Sequence, residues 1–405
     1  DHARRYRMRA LMYERVRQSA VQVGTLVAHL DDVLDRDDDL SQSLLPEVWR
    51  VARKQSDVHT HTAERRRFLR IQVLREIATG TKQRIGLEPW GRVIVVYRGL
   101  DATHPFFVNW APLLGTTPDE LVSGVASLLD GIRRQRVLLD REGRIFSRFW
   151  EEGDREIQRG YLPMMPGNPK GLKLERMQND DNRFVAQLLS ARGQTTAMKT
   201  ALAWGVQRGD LRRFLQEMWT MLANDLGILA PVTLTGSRGR ALPGCVDARQ
   251  VDADLLELAP SQGLYRCTTC RRAQTRPTPR MACPVFRCPG TLLFENEDPD
   301  NYDLMVLDQG FEMLRPKEHS AQVPAEDREI LERIFKGPSE KINSLVCTPT
   351  LELGVDIGVL DATLMRNVPP LPSNYWQRAG RAGRRQRMAV NVTYARPVSH
   401  DRAYF

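Results

Sequence analysis

The sequence predicts an α/β domain with a parallel sheet at its C-terminal end, preceded by mainly helical regions and a small cysteine-bound module. Three observations predict this organisation. Strands alternate with helices between Leu304 and Phe405, apolar residues recur at helical spacing over residues 1–80, and four of the six cysteines lie between Cys267 and Cys288. Alternating strands and helices are typical of a parallel sheet that helices cover on both faces.

Residues 1–80 are predicted to form a helical domain. Apolar side chains such as Leu26, Leu30 and Val33 recur every three or four positions, and the pattern resumes from Phe68 to Ile77 after an acidic interruption. This spacing places them on one face of a helix, so they are core candidates.

Residues 81–165 are predicted to form a winged-helix-like domain. An apolar run at 93–97 precedes a helical stretch at 120–134, and a hairpin-like pair follows at 137–139 and 145–149. A helix followed by such a wing suits duplex nucleic acid or simple packing, and both interpretations stay open. Residues 166–260 are predicted as a helical linker domain, with a helical stretch over 181–229.

The four clustered cysteines are candidate metal ligands of a ribbon over residues 261–296. They are spaced as two close pairs, Cys267 with Cys270 and Cys283 with Cys288. Two thiolate pairs suit tetrahedral Zn²⁺, and a closed four-cysteine site is structural, whereas disulfides or an iron cluster are the alternatives. Six arginines surround the cluster, which indicates either a phosphate-facing ribbon or a solvated basic surface. Cys347 is predicted to be an ordinary thiol in a core strand.

Composition excludes collagen-like, disordered and disulfide-scaffold classes, because 41% of the 405 residues are hydrophobic and 27% are charged. The net charge is +9, and 51 of the 59 basic residues are arginine, which favours polyanionic partners but also follows from a GC-rich genome. No apolar run is long enough for a membrane helix, and the charged N-terminus lacks a secretory core. The sequence therefore predicts a cytoplasmic protein without a membrane partner.

The last domain is predicted over residues 297–405. A helix signal starts at Pro324 and ends at Gly337, the apolar strand Ser344–Cys347 follows, and further strand-like runs lie at 362–365 and 388–394.

Two motifs in this domain carry the strongest functional signal. Residues 377–385 read QRAGRAGRR, with four arginines separated by small residues that let guanidinium groups approach a phosphate. Upstream, residues 348–358 read TPTLELGVDIG and follow a strand.

The two segments resemble motifs VI and V of superfamily 2 helicases, in the order of the second RecA-like domain. Residues 351–358, the double proline at 369–370 and the sequence YWQR at 375–378 further resemble large bacterial DEAD/DEAH-box helicases with inserted domains and a four-cysteine ribbon, some of which act in anti-phage defence. The close resemblance covers about the last hundred residues.

The resemblance implies a role for each matching residue. Arg381 and Arg384 would reach the ATP γ-phosphate, where a positioned guanidinium lowers the phosphoryl-transfer barrier by roughly 4–7 kcal/mol. The remaining implied contacts are to the nucleotide by Gln377, Arg378, Gly354 and Asp356, and to nucleic acid by Thr348, His319 and Ser320. ATP with Mg²⁺ and structural Zn²⁺ are the implied cofactors, and DNA rather than RNA is the expected nucleic acid.

The sequence departs from the complete helicase pattern. It contains no G-x-x-x-x-G-K-[ST] phosphate-binding loop and no strand ending in an acidic Mg²⁺ site; Asp119 and Glu120 follow a turn and are expected to start a helix. We therefore expect the chain alone to be inactive, with the first RecA-like domain supplied in cis or in trans and other defence subunits as further partners. The alternative is a non-catalytic nucleic-acid-binding or scaffolding protein with a RecA-like shape.

Overall fold

The computed structural model describes most of the chain in fourteen stretches. These are residues 2–45, 58–78, 85–135, 137–141, 159–164, 184–189, 194–233, 248–297, 300–309, 314–337, 342–348, 357–358, 360–383 and 388–404. The chain divides into two compact units, Asp1–Phe311 and Glu312–Phe405. The finer five-domain division stays a prediction.

The N-terminal region is helical, as predicted. Its elements are α1 (His2–Val16), β1 (Val21–Gln22), α2 (Val23–Arg36), α3 (Asp38–Leu44) and α4 (Val58–Ile77). The apolar stripe of α2, including Leu26 and Leu30, is buried and packs against α4, where Leu69 and Leu74 are buried. Asp31 is buried in this interface and accepts from the Nε atoms of Arg65 and Arg66 at 2.5 and 2.6 Å.

The next region contains the predicted helix, but the strand after it does not pair in the predicted hairpin. Its elements are β2 (Val93–Tyr97), α5 (Pro105–Leu114), α6 (Pro118–Arg133) and β3 (Leu138–Leu139). α6 begins with a capping box: Thr117 Oγ1 accepts from the Glu120 amide at 3.2 Å, and the Glu120 carboxylate accepts from the Thr117 amide at 3.0 Å. The expectation that Asp119 and Glu120 start a helix is therefore confirmed.

The predicted linker region is only partly helical. Its elements are β4 (Arg159–Met164), β5 (Phe184–Leu189), α7 (Thr196–Ala203), α8 (Leu211–Thr220) with a π-helical turn to Asp225, β6 (Leu229–Pro231), β7 (Arg249–Asp252) and β8 (Leu256–Pro260). The helical stretch expected over 181–229 thus starts with a strand, because the apolar run of β5 pairs in parallel with β4.

Strand pairing joins parts of the first unit that are distant in sequence. β8 lies between β1 and β2, antiparallel to both. β7 lies between β3 and β4 and also pairs with β6. The predicted hairpin is therefore wrong for its first strand, since the buried Leu138 pairs in parallel with Val251 of β7; residues 142–150, which include its second strand, lie outside the described residues.

The ribbon and the following helix complete the first unit. β9 (Leu264–Cys267) is the centre of an antiparallel sheet with β10 (Ala273–Gln274) and β11 (Leu292–Glu295), and α9 (Tyr302–Gln309) follows. α9 packs on α1, where the Tyr6 hydroxyl donates to Asp303.

The second unit is built from two strand–helix–strand crossovers. In the first, α10 (Ala325–Lys336) connects β12 (Pro316–His319) to the parallel β13 (Ser344–Cys347). In the second, α11 (Pro372–Ala379) connects β14 (Ala362–Met365) to the parallel β15 (Val390–Thr393), and α12 (Ser399–Tyr404) follows. The predicted parallel strands are confirmed.

Burial in the second unit is lower than predicted. Cys347 lies in the expected strand but is exposed, and so are Leu364 and Val390 on the second strand pair. α10 contacts β12 through partly exposed side chains and contributes no fully buried side chain. Among these residues, no helix combines the length and apolarity that crossing a membrane requires.

Candidate nucleotide-binding motifs and metal centre

The segment resembling motif VI starts on α11 and ends in a turn. Pro372 occupies the first turn of α11, and Gly380 caps its end. Gln377 is exposed on the helix, and Arg381 is half-buried in the turn, where Gly383 has a φ of +75°. A side chain at Gly383 would be strained, so glycine is required there. Arg384 lies outside the described residues.

The chain just after the segment resembling motif V meets this turn. Leu360 bridges Ala382, and the Gly383 amide donates to the Leu360 carbonyl at 3.0 Å. Thr348 is exposed directly after β13. Gly354 and Asp356 lie outside the described residues, so their nucleotide contacts stay predictions.

A second link joins β13 to α11. Atoms around the exposed Cys347 partly desolvate its thiol and raise its pKa, and the positive charge of Arg378 opposes that rise. Arg378 therefore lies within electrostatic range of Cys347, the residue that precedes Thr348. The second unit thus brings the motif VI segment close to the residues that flank the motif V segment, although 18 residues separate the two segments in the sequence.

His319 and Ser320 are buried, unlike typical contacts to a nucleic-acid backbone. His319 Nε2 lies 2.8 Å from Glu332 Oε1 on α10, and Ser320 Oγ donates to Glu318 Oε1 at 2.7 Å. Both side chains form hydrogen bonds within the second unit. Any contact with nucleic acid would therefore involve the backbone of this loop. The role of these residues stays a prediction.

The four clustered cysteines converge on one point in the ribbon. The sulfur atoms of Cys267, Cys270, Cys283 and Cys288 all lie within 4.8 Å of one another. Cys267 Sγ is 3.5 Å from Cys288 Sγ, and Cys270 Sγ is 3.7 Å from Cys283 Sγ. Disulfide sulfurs would be about 2.05 Å apart, whereas Zn–S bonds of about 2.3 Å in a tetrahedron place sulfurs roughly 3.8 Å apart. The donor set fits a tetrahedral metal ion.

The four sulfurs differ in their electrostatic surroundings. Burial raises the pKa of Cys267, but the Cys270 and Thr269 amides and the neighbouring thiols outweigh it and lower the value to about 7. In contrast, burial raises the pKa of Cys283, which leaves the cluster poorly suited to four free thiolates without a cation. Gly290 is required for space, because an added Cβ would lie 2.5 Å from Cys267 Sγ.

The arginines around the ribbon do not form one solvated surface. Arg276 is buried and its Nε donates to Asp130 on α6 at 2.9 Å, while Arg266 pairs with Glu295 at 2.6 Å. Arg280 donates to the Leu114 carbonyl at 3.2 Å. Arg271 and Arg287 are exposed.

Arg276 joins a buried charge cluster that sequence reasoning missed. Arg133 Nη1 and Nη2 donate to Glu88 at 2.9 and 2.8 Å, and Arg133 also contacts Asp130 at 2.9 Å. Burial alone would raise the pKa of Asp130, but Arg276, Arg134 and Arg133 hold it below its usual range. The available signal was the spacing of Asp130 and Arg133 on the otherwise apolar face of α6. This cluster, with the Ser123 hydroxyl donating to the Pro277 carbonyl at 2.8 Å, ties the ribbon to α6.

Comparison with known proteins finds similarity in the region that contains the two motifs. The family model described as "Helicase conserved C-terminal domain" matches residues 302–386. Druantia protein DruE of Escherichia coli is 40% identical over 116 residues, which make up 25% of this chain and 6% of that protein. ATP-dependent helicase HRQ1 of Saccharomyces cerevisiae is 40% identical over 81 residues, covering 20% of this chain and 7% of that protein.

One solved structure, "Crystal Structure of DUF1998 helicase MrfA bound to DNA and AMPPNP", aligns at 28% identity with 24% of this chain and 14% of that chain. The TM-score of this alignment is 0.21. The chain spans only a small share of the length of these proteins. The family match and the similarity to these relatives, together with the motif sequences, support a superfamily 2 helicase C-terminal part in residues 302–386.

Proposed function

We propose that the chain is the C-terminal portion of an ATP-dependent nucleic-acid helicase or translocase, whose second unit serves as the second RecA-like domain. The observation that carries this proposal is the bridge from Leu360, two residues after the motif V segment, to Ala382 of the motif VI segment, within the family match. The relative HRQ1 is named an ATP-dependent helicase, which supports the same activity.

Arg381 and Arg384 stabilise the negative charge that spreads over the transferred phosphoryl group. A guanidinium fork matches phosphate oxygens and stays protonated at neutral pH, so it acts without a proton transfer. Gln377 and Arg378 hold the nucleotide from α11, together with Gly354 and Asp356. The exposure of Gln377 supports this role, since its amide is accessible to a ligand.

The other half of the ATP site belongs to the first RecA-like domain, which supplies the phosphate-binding loop and the Mg²⁺ ligands in cis or in trans. Thr348 contacts the nucleic-acid phosphate at the end of β13. DNA is the proposed nucleic acid, with other defence-system subunits as further partners in the cytoplasm.

Zn²⁺ is the proposed occupant of the four-cysteine site, where it has a structural role. Four thiolates leave no open coordination position for a substrate or a water molecule. The sulfur spacing of 3.5 and 3.7 Å supports this assignment, and one equivalent of zinc by elemental analysis is the expected result.

The second candidate is a non-catalytic nucleic-acid-binding or scaffolding protein. It is favoured by the lack of a phosphate-binding loop in the 405 residues. The arginine spacing of residues 378–384 favours the first candidate, since a scaffold needs no phosphate-reading fork.

ATP hydrolysis separates the two candidates. The 405-residue chain alone should hydrolyse ATP no faster than buffer, because it has no phosphate-binding loop that would position the phosphates for attack. Addition of the first RecA-like domain, in the full-length protein or as a separate chain, should give nucleic-acid-stimulated hydrolysis. Arg381→Ala or Arg384→Ala should then lower turnover by about 10³-fold or more.

The matched control is Arg212→Ala, which removes an exposed arginine from α8 in the first unit and should leave turnover unchanged. A full-length enzyme that is active and insensitive to both motif substitutions would contradict the proposed roles. Full-length protein that binds nucleic acid but never hydrolyses ATP would support the scaffold.

A further inference from the structure

Three arginines of the ribbon have a positive backbone φ, which is unusual for residues other than glycine. Among the described residues, the non-glycine positions with positive φ are Arg271, Arg280, Met281 and Arg287, all within the ribbon. A residue with a side chain is strained in this left-handed region, whereas glycine adopts it without strain. Residues held in strained backbone regions cluster at functional sites such as ligand clamps.

The three arginines differ in what their side chains contact. Arg280 has a structural explanation, because its guanidinium packs over Gly205 and donates to the Leu114 carbonyl. Arg271 follows the ligand Cys270, is 68% exposed and lies 3.6 Å from Glu295. Arg287 precedes the ligand Cys288, is exposed, and has its guanidinium carbon 5.2 Å from the centre of the Phe286 ring.

Phe286 and Arg287 form an exposed aromatic and cationic surface at the second cysteine pair. Phe286 is 41% exposed, although a phenyl ring of a small module is normally buried in its core. The guanidinium over the ring holds the two groups together through a cation–π contact. A ring next to a guanidinium matches a nucleobase next to its phosphate, because bases stack on aromatic faces and phosphate accepts from arginine.

We propose that Phe286 and Arg287 bind single-stranded nucleic acid, with a base stacked on Phe286 and the adjacent phosphate bound by Arg287. Arg271, at the other cysteine pair of the same metal centre, provides a second phosphate contact. The proposal rests on the proposed function and adds a binding site outside the helicase motifs. Stacking accepts any base, so the site holds the strand without reading its sequence.

A structural role for these arginines makes a different prediction. Four thiolates around a divalent ion carry a net charge of about −2, which nearby guanidinium groups would offset. In that case removal of Arg287 would weaken metal binding. If Arg287 binds nucleic acid instead, Arg287→Gly removes the contact with the phosphate and also relieves the strained backbone. The metal then stays bound.

The test uses the zinc-loaded full chain and fluorescence anisotropy with labelled oligothymidylate and oligouridylate at several salt concentrations. Phe286→Leu, which keeps apolar bulk but removes the ring, should weaken binding about fivefold or more. The slope of log affinity against log salt should not change for this variant. Arg287→Gly should weaken binding and reduce that slope by about 0.7, the value for one phosphate contact on a single strand.

Two controls match these variants. Leu293→Ala removes an exposed apolar side chain from the same ribbon, and Arg212→Ala removes an exposed arginine from α8. Both should keep wild-type affinity. Zinc content and thermal unfolding of each variant are measured alongside, and Arg287→Gly should unfold at the wild-type temperature or above it. Comparison of the two oligonucleotides identifies DNA or RNA as the strand that binds better.

Wild-type affinity in both Phe286→Leu and Arg287→Gly would overturn the site and leave the proposed function standing. Zinc loss in Arg287→Gly would assign the arginine to the metal centre and overturn the site as well. Equal weakening by Leu293→Ala would show a general effect of ribbon substitutions and would also overturn it. A wild-type chain that binds neither oligonucleotide at low salt would count against both the site and the proposed function.

Discussion

Gly290 shows how a single residue controls the metal centre. Its carbonyl accepts from the Cys283 amide at 3.0 Å, which fixes the backbone beside the sulfurs. A Cβ at this position would lie 2.5 Å from Cys267 Sγ and 2.7 Å from Thr269 Oγ1. The backbone cannot move away without breaking the hydrogen bond, so the sulfur would have to leave its position.

We expect Gly290→Ala to weaken zinc binding, because the displaced sulfur of Cys267 no longer completes the tetrahedron. Loss of one ligand position from a structural zinc site also costs local folding free energy. The rate of zinc transfer to a chromophoric chelator measures the effect, and transfer at least about tenfold faster than in the wild type is the expected result.

Gly131→Ala is the matched control. Gly131 lies within α6 with no atom within 4 Å of the added Cβ. This substitution should stabilise the protein by about 0.5–1 kcal/mol through helix propensity and leave zinc transfer unchanged. Equal transfer rates in Gly290→Ala and the wild type would contradict the steric argument.

α6 is the element that joins the ribbon to the rest of the first unit. Asp130 is 1% exposed and contacts Arg133 and Arg276, while the Tyr97 hydroxyl of β2 donates to it at 2.8 Å. The Gly124 position lies against Pro279 of the ribbon, where an added Cβ would be 2.6 Å from Pro279 Cδ. Two segments that are distant in sequence, β2 and the ribbon, therefore both contact this helix.

Asp130→Asn should destabilise the first unit by about 3–5 kcal/mol, because it leaves two buried arginines without their shared carboxylate. The free energy of unfolding from urea titration measures the effect. Asp119→Asn, an exposed change in the first turn of the same helix, should cost no more than about 1 kcal/mol. Similar costs for the two variants would argue against the buried cluster.

The same carboxylate predicts an acid-dependent loss of stability. Because the folded pKa of Asp130 is lowered, its stabilising contribution is complete above the unfolded value of about 3.9 and is lost as the pH falls below that value. Unfolding free energy should therefore fall more steeply with acid in the wild type than in Asp130→Asn. Parallel pH profiles for the two proteins would contradict the assignment.

At the scale of the whole molecule, metal binding should affect more than the ribbon. The loop between the two cysteine pairs carries Arg276 into the buried cluster, and Lys199 of α7 donates to the Cys283 carbonyl. Loss of the metal releases both ends of this loop, so the contacts on α6 weaken with it.

Chelation of zinc should therefore lower the unfolding temperature of the first unit, measured by the tryptophan fluorescence of the chain, to which Trp204 contributes. Trp204 is fully buried and lies next to Gly124 at the contact with the ribbon. Chelation of a variant that lacks Cys288 should cause a much smaller shift than in the wild type, since its metal is already lost. An unchanged first-unit transition after zinc removal would show that the ribbon folds independently.

The sequence by itself determined the elements whose signals are local. The capping box at Thr117 and Glu120, the proline-initiated α10, the strand Ser344–Cys347 and the motif sequences at 348–358 and 377–385 were all readable from short spacings. The cysteine spacing also predicted a metal centre, because ligands of one tetrahedral ion must come from close pairs on tight turns. Helix starts and metal ligands depend on neighbouring residues, so a linear pattern is sufficient.

Tertiary structure alone decided the long-range contacts. β2 pairs with β8 across about 160 residues, Leu138 pairs with Val251 rather than with a hairpin partner, and His319 turns inward to Glu332. Arg276 looked like part of a basic surface in the sequence but is buried against Asp130. These contacts depend on which apolar faces bury one another and which charges must then be paired, and that choice is made over the whole chain rather than within one segment.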